Sequence, residues 1–276
     1  MGSGVREMPV DSVLVQPTYC GLPPAPQELA AAWNTDWRLL LALALFAAAA
    51  RYTARRGVFA AGWLALVVAF VSPLCALTVA LFAARAVHHL LLATVAAPLL
   101  GAAFVHWGRR VPSGVTLLAV AVVLALWHVP AVYSRIWHSE VWYWGMQVAL
   151  LLPATMFWAY IWRALGWSPS AQKEPPSASG SVMTVLAHIA ALAGVMGLIG
   201  AVLTFAPQVL YPEHGLSGLA YGLQPLQDQQ LAGLLMWVPG FAPLAAIAGL
   251  ALHRAWQQAK GPVEGAAERT NEVAAS

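Results

Sequence analysis

The sequence predicts an all-α, polytopic membrane protein, a bundle of seven transmembrane helices with its N-terminus outside and its C-terminus in the cytoplasm. Three observations carry that expectation. Of the 276 residues, 60% are hydrophobic and 9% are charged, far from the balance of a soluble domain. The apolar residues fall in long runs, and about 20 such residues cross the hydrocarbon core. Thirteen tryptophans point the same way, because the indole favours the headgroup layer. The net charge of +3 follows from topology and calls for no nucleic-acid partner.

Taken in order, residues 1–36 form a periplasmic tail with no apolar core or cleavage site of a signal peptide, so Cys20 is not expected at a lipidated terminus. Seven spans follow at residues 37–52, 58–71, 77–105, 115–132, 141–162, 182–205 and 229–252. The second is short for a straight crossing, and the third is long enough to tilt. Together they make a transmembrane domain over residues 37–254. A cytoplasmic tail over 255–276 is polar, rich in small residues and expected to be disordered. Placing the N-terminal tail outside leaves Arg51, Arg55, Arg56, Arg109, Arg110, Arg163, Lys173, Arg254, Lys260 and Arg269 inside. Arg6, Arg38, Arg85 and Arg135 lie on the outer side or in that half of the bundle, so the positive charge favours this orientation. Ser-Pro, Pro-Pro and Ser-Gly pairs mark residues 166–181 as a flexible connector. Gly194, Gly197, Gly200 and Ala201 give the sixth span a face for close helix contact. Pro98, Pro153 and Pro239 are expected to kink their helices.

Charge-capable residues inside the third span are the sharpest functional signal. Arg85, His88 and His89 share one helical face, and polar groups at that depth mark protein interiors and function. Further candidates gather in the outer halves of other spans: His128 at the end of the fourth, Met146 in the fifth, and Met236 with Gln229 in the seventh, where Asp228 stands at the mouth. Imidazole and thioether suit copper, especially Cu(I), better than the oxygen-seeking Mg or Ca, and a carboxylate orients a histidine from outside the ligand shell. His88, His89, His128, Met146, Asp228 and Met236 are therefore the candidate metal residues. Each has an ordinary alternative. A histidine pair near an interface serves as packing, His128 as a helix cap, the methionines as core filler, and Asp228 as a partner of the last helix's dipole. Arg85 needs a partner or a route to water: it either snorkels outward or pairs with Asp228 or Glu140. If Arg85 instead faces the pair, its charge keeps both imidazoles neutral. Cys20 and Cys75 both fall on the outer side, which leaves a bridge, free thiols or copper thiolates open. His106, His138, His188, His214 and His253 lie at ends, in loops or on the inner half and carry no expected role.

Residues 85–92 (RAVHHLLL), 96–100 (AAPLL), 126–133 (LWHVPAVY) and 228–240 (DQQLAGLLMWVPG), with Tyr19-Cys20-Gly21 and residues 33–36 (WNTD) in the tail, resemble the CtaG-like family of bacterial cytochrome c oxidase assembly factors, the membrane type associated with the caa-type oxidase. The resemblance implies a seven-helix, multi-pass protein of the bacterial inner membrane that helps mature a haem-copper oxidase by handling copper. Its implied partners are cytochrome c oxidase subunits, a periplasmic copper donor and the lipid bilayer. The chain departs from the family pattern in two places. Arg85 stands where the first histidine of His-Met-x-x-His is expected, with His88 added directly before the matching His89. Trp142 and Met146 occupy the positions of a His-x-x-x-His pair on the fifth helix.

Two other readings compete. A transmembrane haem b carrier would use His88 or His89 opposite His128 or His188. A non-metal scaffold would hold oxidase subunits by helix packing, and a copper permease would extend the ligand trail inward through His188 and Met196. No nucleophile elbow, P-loop or dinucleotide fingerprint is present, so no enzyme is expected.

Overall fold

A computed structural model describes residues 18–167 and 178–274, and among these the chain is helical with no strand. The helices are α1 (Trp37–Ala47), α2 (Arg56–Phe70), α3 (Leu74–Ala80), α4 (Phe82–Leu90), α5 (Ala97–Ala103), α6 (Ser113–Trp127), α7 (Pro130–Ile136), α8 (Glu140–Ala164), α9 (Ala178–Phe205) and α10 (Pro225–Ala274). Among the described residues four continuous helical stretches are long and apolar enough to cross a membrane: Phe82–Ala103, Glu140–Ala164, Val182–Phe205 and Pro225–Gln257. The α2–α3 pair, bent by 42°, makes a fifth, while α1 and α6 are shorter. The protein is a helical membrane protein. Most of the connector expected over 166–181 lies outside the described residues, as do residues 1–17 of the tail.

The third span differs from its expected form. Residues 77–105 do not make one helix, because Leu81 is extended (φ −128°, ψ 130°) and α4 starts at Phe82. The preceding turns, α3, follow Ser72 and Pro73 and lengthen the short second span instead. The cause of the break is a long-range cap. Asp228, at the start of α10, accepts hydrogen bonds from the backbone N–H of Phe82 (2.7 Å) and Ala83 (2.9 Å), satisfying donors that a helix start leaves orphaned.

Further along the same span, Leu91–Ala96 widens into a π-helical turn just before Pro98. The N–H of Ala97 goes to the carbonyl of Leu92, and Pro98 has no N–H to offer Ala93. The indole of Trp158 on α8 supplies the missing donor, 2.9 Å from the Ala93 carbonyl. Trp162, one turn on, donates to the Pro98 carbonyl at 2.9 Å. These two bonds lock α8 onto the widened turn. The other two prolines lie within helices that run on past them, Pro153 in α8 and Pro239 in α10. The fourth span stops at Trp127 because Pro130 restricts Val129 to extended backbone.

Helices α9 and α10 form a tight hairpin. A Cβ built on Gly233 would stand 2.6 Å from the Gly200 carbonyl oxygen, so the two backbones meet where neither carries a side chain. Gly197 accepts a hydrogen bond from the Trp237 indole (2.6 Å), whereas Gly194 faces open space and takes no part in this contact. The last helix runs on to Ala274, where the sequence leads one to expect a disordered tail from residue 255. Ala and Glu recur over 264–268, and both are strong helix formers.

The described part of the N-terminal tail folds over one end of the bundle. Cys20 and Cys75 form a disulfide (Cα–Cα 5.4 Å) that ties it to α3, which decides between the bridge and the thiol alternatives. Tyr19 stacks on Tyr143 (4.8 Å between centroids), and its hydroxyl donates to Asp36 at 2.9 Å.

Candidate metal centre

Four helices bring soft donors to one enclosed point. Residues 86, 89, 90 and 93 of the third span, Leu124 and His128 of α6, Met196 of α9 and Met236 of α10 line a cavity of about 20 Å³. That is room for about one water-sized particle, and hence for one metal ion. His89, Met196 and Met236 are buried, and His128 is half-buried. The rings of His89 and His128 lie 6.4 Å apart between centroids and nearly perpendicular.

The histidines are prepared unequally. Nδ1 of His128 lies 2.7 Å from the Leu124 carbonyl, which can only accept, so the proton sits on Nδ1 and Nε2 keeps a bare lone pair. This is the arrangement by which a backbone carbonyl orients a metal-ligating imidazole. Nε2 of His89 is buried without a hydrogen-bond partner. A buried polar atom left unpaired costs about 1–3 kcal/mol, and a ligand in the cavity would remove that cost. Among the described residues no group of three or more His, Cys, Asp or Glu converges, so any metal here depends on the thioethers as well as the imidazoles.

The other candidates go elsewhere. The His88 ring packs edge-on against Phe70 at 5.1 Å, away from the cavity lining, with both nitrogens buried and unpartnered. Met146 is fully buried in an apolar cluster with Val79, Trp127 and Leu203 and does not line the cavity. Asp228 spends both carboxylate oxygens on the start of α4, so its structural role concerns a different helix from the one it begins. Gln229 pins the turn before α10, accepting from Leu210 N–H at 2.7 Å. His188 turns back to the Thr184 carbonyl (2.7 Å) and lies outside the lining. Met196, read from sequence only as part of an inward trail, is the residue that joins the site.

Arg85 takes neither expected route. It is 3% exposed, donates to the Thr78 carbonyl at 3.3 Å, and lies over the rings of Tyr133 (5.7 Å) and Trp137 (5.6 Å). The ring faces present negative potential to the guanidinium. Glu140 pairs instead with exposed Arg38 at 3.4 Å. The pocket is closed by His214, which is buried although it belongs to the loop between α9 and α10, and which shares a 2.8 Å hydrogen bond with the Tyr133 hydroxyl. Burial, reinforced by the Arg85 charge, pulls the His214 imidazole down to about 3. Sequence reasoning passed over His214 because a loop position gives no sign that the loop folds back into the bundle.

A family model described as cytochrome c oxidase caa3 assembly factor matches residues 112–258, just over half of the chain. The match takes in α6 to most of α10, and with them His128, Met196 and Met236. No curated protein and no solved structure matches.

Proposed function

The chain belongs to the cytochrome c oxidase caa3 assembly factors, and on that premise we propose that it is a non-catalytic copper-handling protein of the bacterial inner membrane. It takes up Cu(I) between His89, His128, Met196 and Met236 and passes it to an oxidase subunit on the outer side. The supporting observation is the single cavity in which two imidazoles and two thioethers converge. Imidazole supplies affinity, thioether favours the reduced ion, and a low coordination number suits Cu(I). A site without carboxylate or thiolate also binds weakly enough to release its cargo.

The proposal includes seven crossings with the N-terminus outside, counting α1 with its following turn and α6 as short spans. The Cys20–Cys75 bridge belongs in an oxidising compartment. Arg51, Arg55, Arg56, Arg109 and Arg110 lie at the opposite ends of the helices, as cytoplasmic residues do. A haem b reading fits less well, since a cavity of this size has no room for a porphyrin. The scaffold reading keeps one observation of its own: α9 and α10 leave Leu198, Val202, Leu234 and Val238 exposed on their outer faces.

Competition titration of Cu(I) against a chromophoric chelator, on purified protein in detergent, tests the proposal. One equivalent should bind to the wild type and none to the His89→Ala/His128→Ala variant. Cells carrying that variant should make the oxidase subunits but accumulate less active oxidase. Unchanged stoichiometry in the variant would remove copper from this cavity. Absence of binding in both proteins would leave the scaffold.

A further inference from the structure

A second concave feature lies between α1, α5 with the turn that follows it, and α8. This groove of about 160 Å³ is walled by Phe46, Leu100, Phe104, Trp107, Leu151 and Leu152, and exposes no polar surface. Val148 at its edge is 58% exposed and Leu152 49%, so the groove opens sideways, where lipid would stand. It exists because α1 packs loosely: only Leu39 and Leu43 of that helix are buried.

The end of the groove meets a rim of positive charge. Thr53 donates to the Ala103 carbonyl at 2.7 Å and Arg55 to that of Ala102 at 3.3 Å, which folds the turn after α1 onto the end of α5. Arg51 and Arg56 are thereby set on the same edge as Arg109 and Arg110, which follow Trp107. All four are exposed. Between Asp36 and Glu140 the sequence contains no acidic residue, and among the described residues the ion pairs involve only Arg38. Arg55 is occupied by carbonyls and the Trp167 ring, and Arg51 by its neighbour Tyr52. Among the described residues the other three have no carboxylate partner, and neither does Arg51.

We propose that this groove and rim bind one anionic phospholipid, with an acyl chain against Phe46, Phe104 and Leu151 and the phosphate held by Arg51, Arg109 and Arg110. A dry groove selects hydrocarbon, and a basic edge between helices selects a phosphate headgroup. Scattered positive-inside charge would attract anionic lipid everywhere along the inner face, but it would not make retention depend on the shape of one groove. The site is separate from the copper cavity and stands or falls without it.

Native mass spectrometry of the full-length protein, released from mixed micelles of phosphatidylglycerol or phosphatidylcholine, provides the test. One phosphatidylglycerol should be retained in preference to phosphatidylcholine. Neutralising Arg51, Arg109 and Arg110 to Gln should reduce that preference by roughly fivefold per arginine. Leu151→Trp, or the milder Val148→Phe at the edge, should lower retention of both lipids while circular dichroism and Cu(I) binding stay unchanged. Arg135→Gln on the outer side should change nothing. Equal retention of the two lipids, or a preference that survives the arginine substitutions, would overturn the proposal. So would displacement of the lipid by millimolar inorganic phosphate, which would mark a bare anion site. Protection of a Val148→Cys variant from thiol labelling by an oxidase subunit in lipid-depleted micelles would assign the groove to a protein helix instead.

Discussion

Helix α4 carries Arg85 and His89 one turn apart, both buried, and the protein treats them oppositely. The guanidinium, a permanent cation, is enclosed by Tyr133 and Trp137, with a backbone carbonyl as its hydrogen-bond partner. The imidazole opens onto a cavity beside two thioethers, with Nε2 unpaired. A fixed charge inside an apolar bundle is tolerable when soft, negative ring faces surround it. A lone pair in the same bundle is useful only if left unspent. Ring quadrupoles therefore seal one turn of the helix, and a small void keeps the next available. An arginine at position 85 is not a ligand, and its aromatic enclosure makes it a plug one turn before His89.

The largest expected effect concerns the element on which both turns depend. Asp228→Ala would leave two buried N–H groups at the start of α4 unsatisfied, each having lost a charge-assisted hydrogen bond. A loss of about 3 kcal/mol is expected, read as a fall in thermal midpoint, with Asp228→Asn recovering part of it. Cu(I) affinity, measured well below that midpoint, should stay within about threefold. Loss of copper from a variant of normal stability would make Asp228 a ligand and break the contrast between cap and site.

The thioethers sharpen the His89 side. Met196→Leu and Met236→Leu preserve volume at the cavity wall and should each weaken Cu(I) binding about tenfold, roughly 1.4 kcal/mol. Met146→Leu, buried outside the lining, should leave it unchanged. If Met146 proves as costly as Met196, the ion sits nearer α8 than the cavity does.

Much of this arrangement was legible in the sequence, and the rest was lost for identifiable reasons. Hydropathy places α8 and α9 within a few residues of their observed bounds, because they are long and uninterrupted. The break at Leu81 carries no local proline or glycine, and its cause is a carboxylate 146 residues away in sequence. His89, His128 and Met236 were recognisable as donor types in the outer halves of apolar spans. Met196 gives no such sign, since a methionine in a 28-residue apolar helix reads as filler until α10 folds against it. His88 and Met146 have the right chemistry but do not line the cavity: successive helix positions point about 100° apart, so His88 does not share the outlook of His89, and residue type does not encode which position a packed helix turns to a void. The enclosure of Arg85 depends on a loop returning over the bundle, as the burial of His214 does.

The smallest expected effect tests that enclosure through pH. With its pKa near 3 in the folded protein and near 6.5 when unfolded, His214 is neutral in the native state, while the unfolded chain takes up a proton below about 6.5. The unfolded state thus binds more protons throughout the window from about 6.5 down to 3, so stability falls as the pH falls through it. Between pH 7 and pH 6 the loss from this one residue is about 0.7 kcal/mol. Other buried groups add their own slopes, so the informative quantity is the difference between the wild type and His214→Gln. That variant retains an amide for the Tyr133 hydroxyl and cannot titrate. Its thermal midpoint should fall less steeply from pH 7 to pH 6, while Cu(I) affinity at pH 7 stays the same, because His214 belongs to the Arg85 side of α4. Parallel slopes would mean that water reaches the His214 imidazole and that the Arg85 pocket is open. A change in copper affinity would mean that the plug and the cavity are one site.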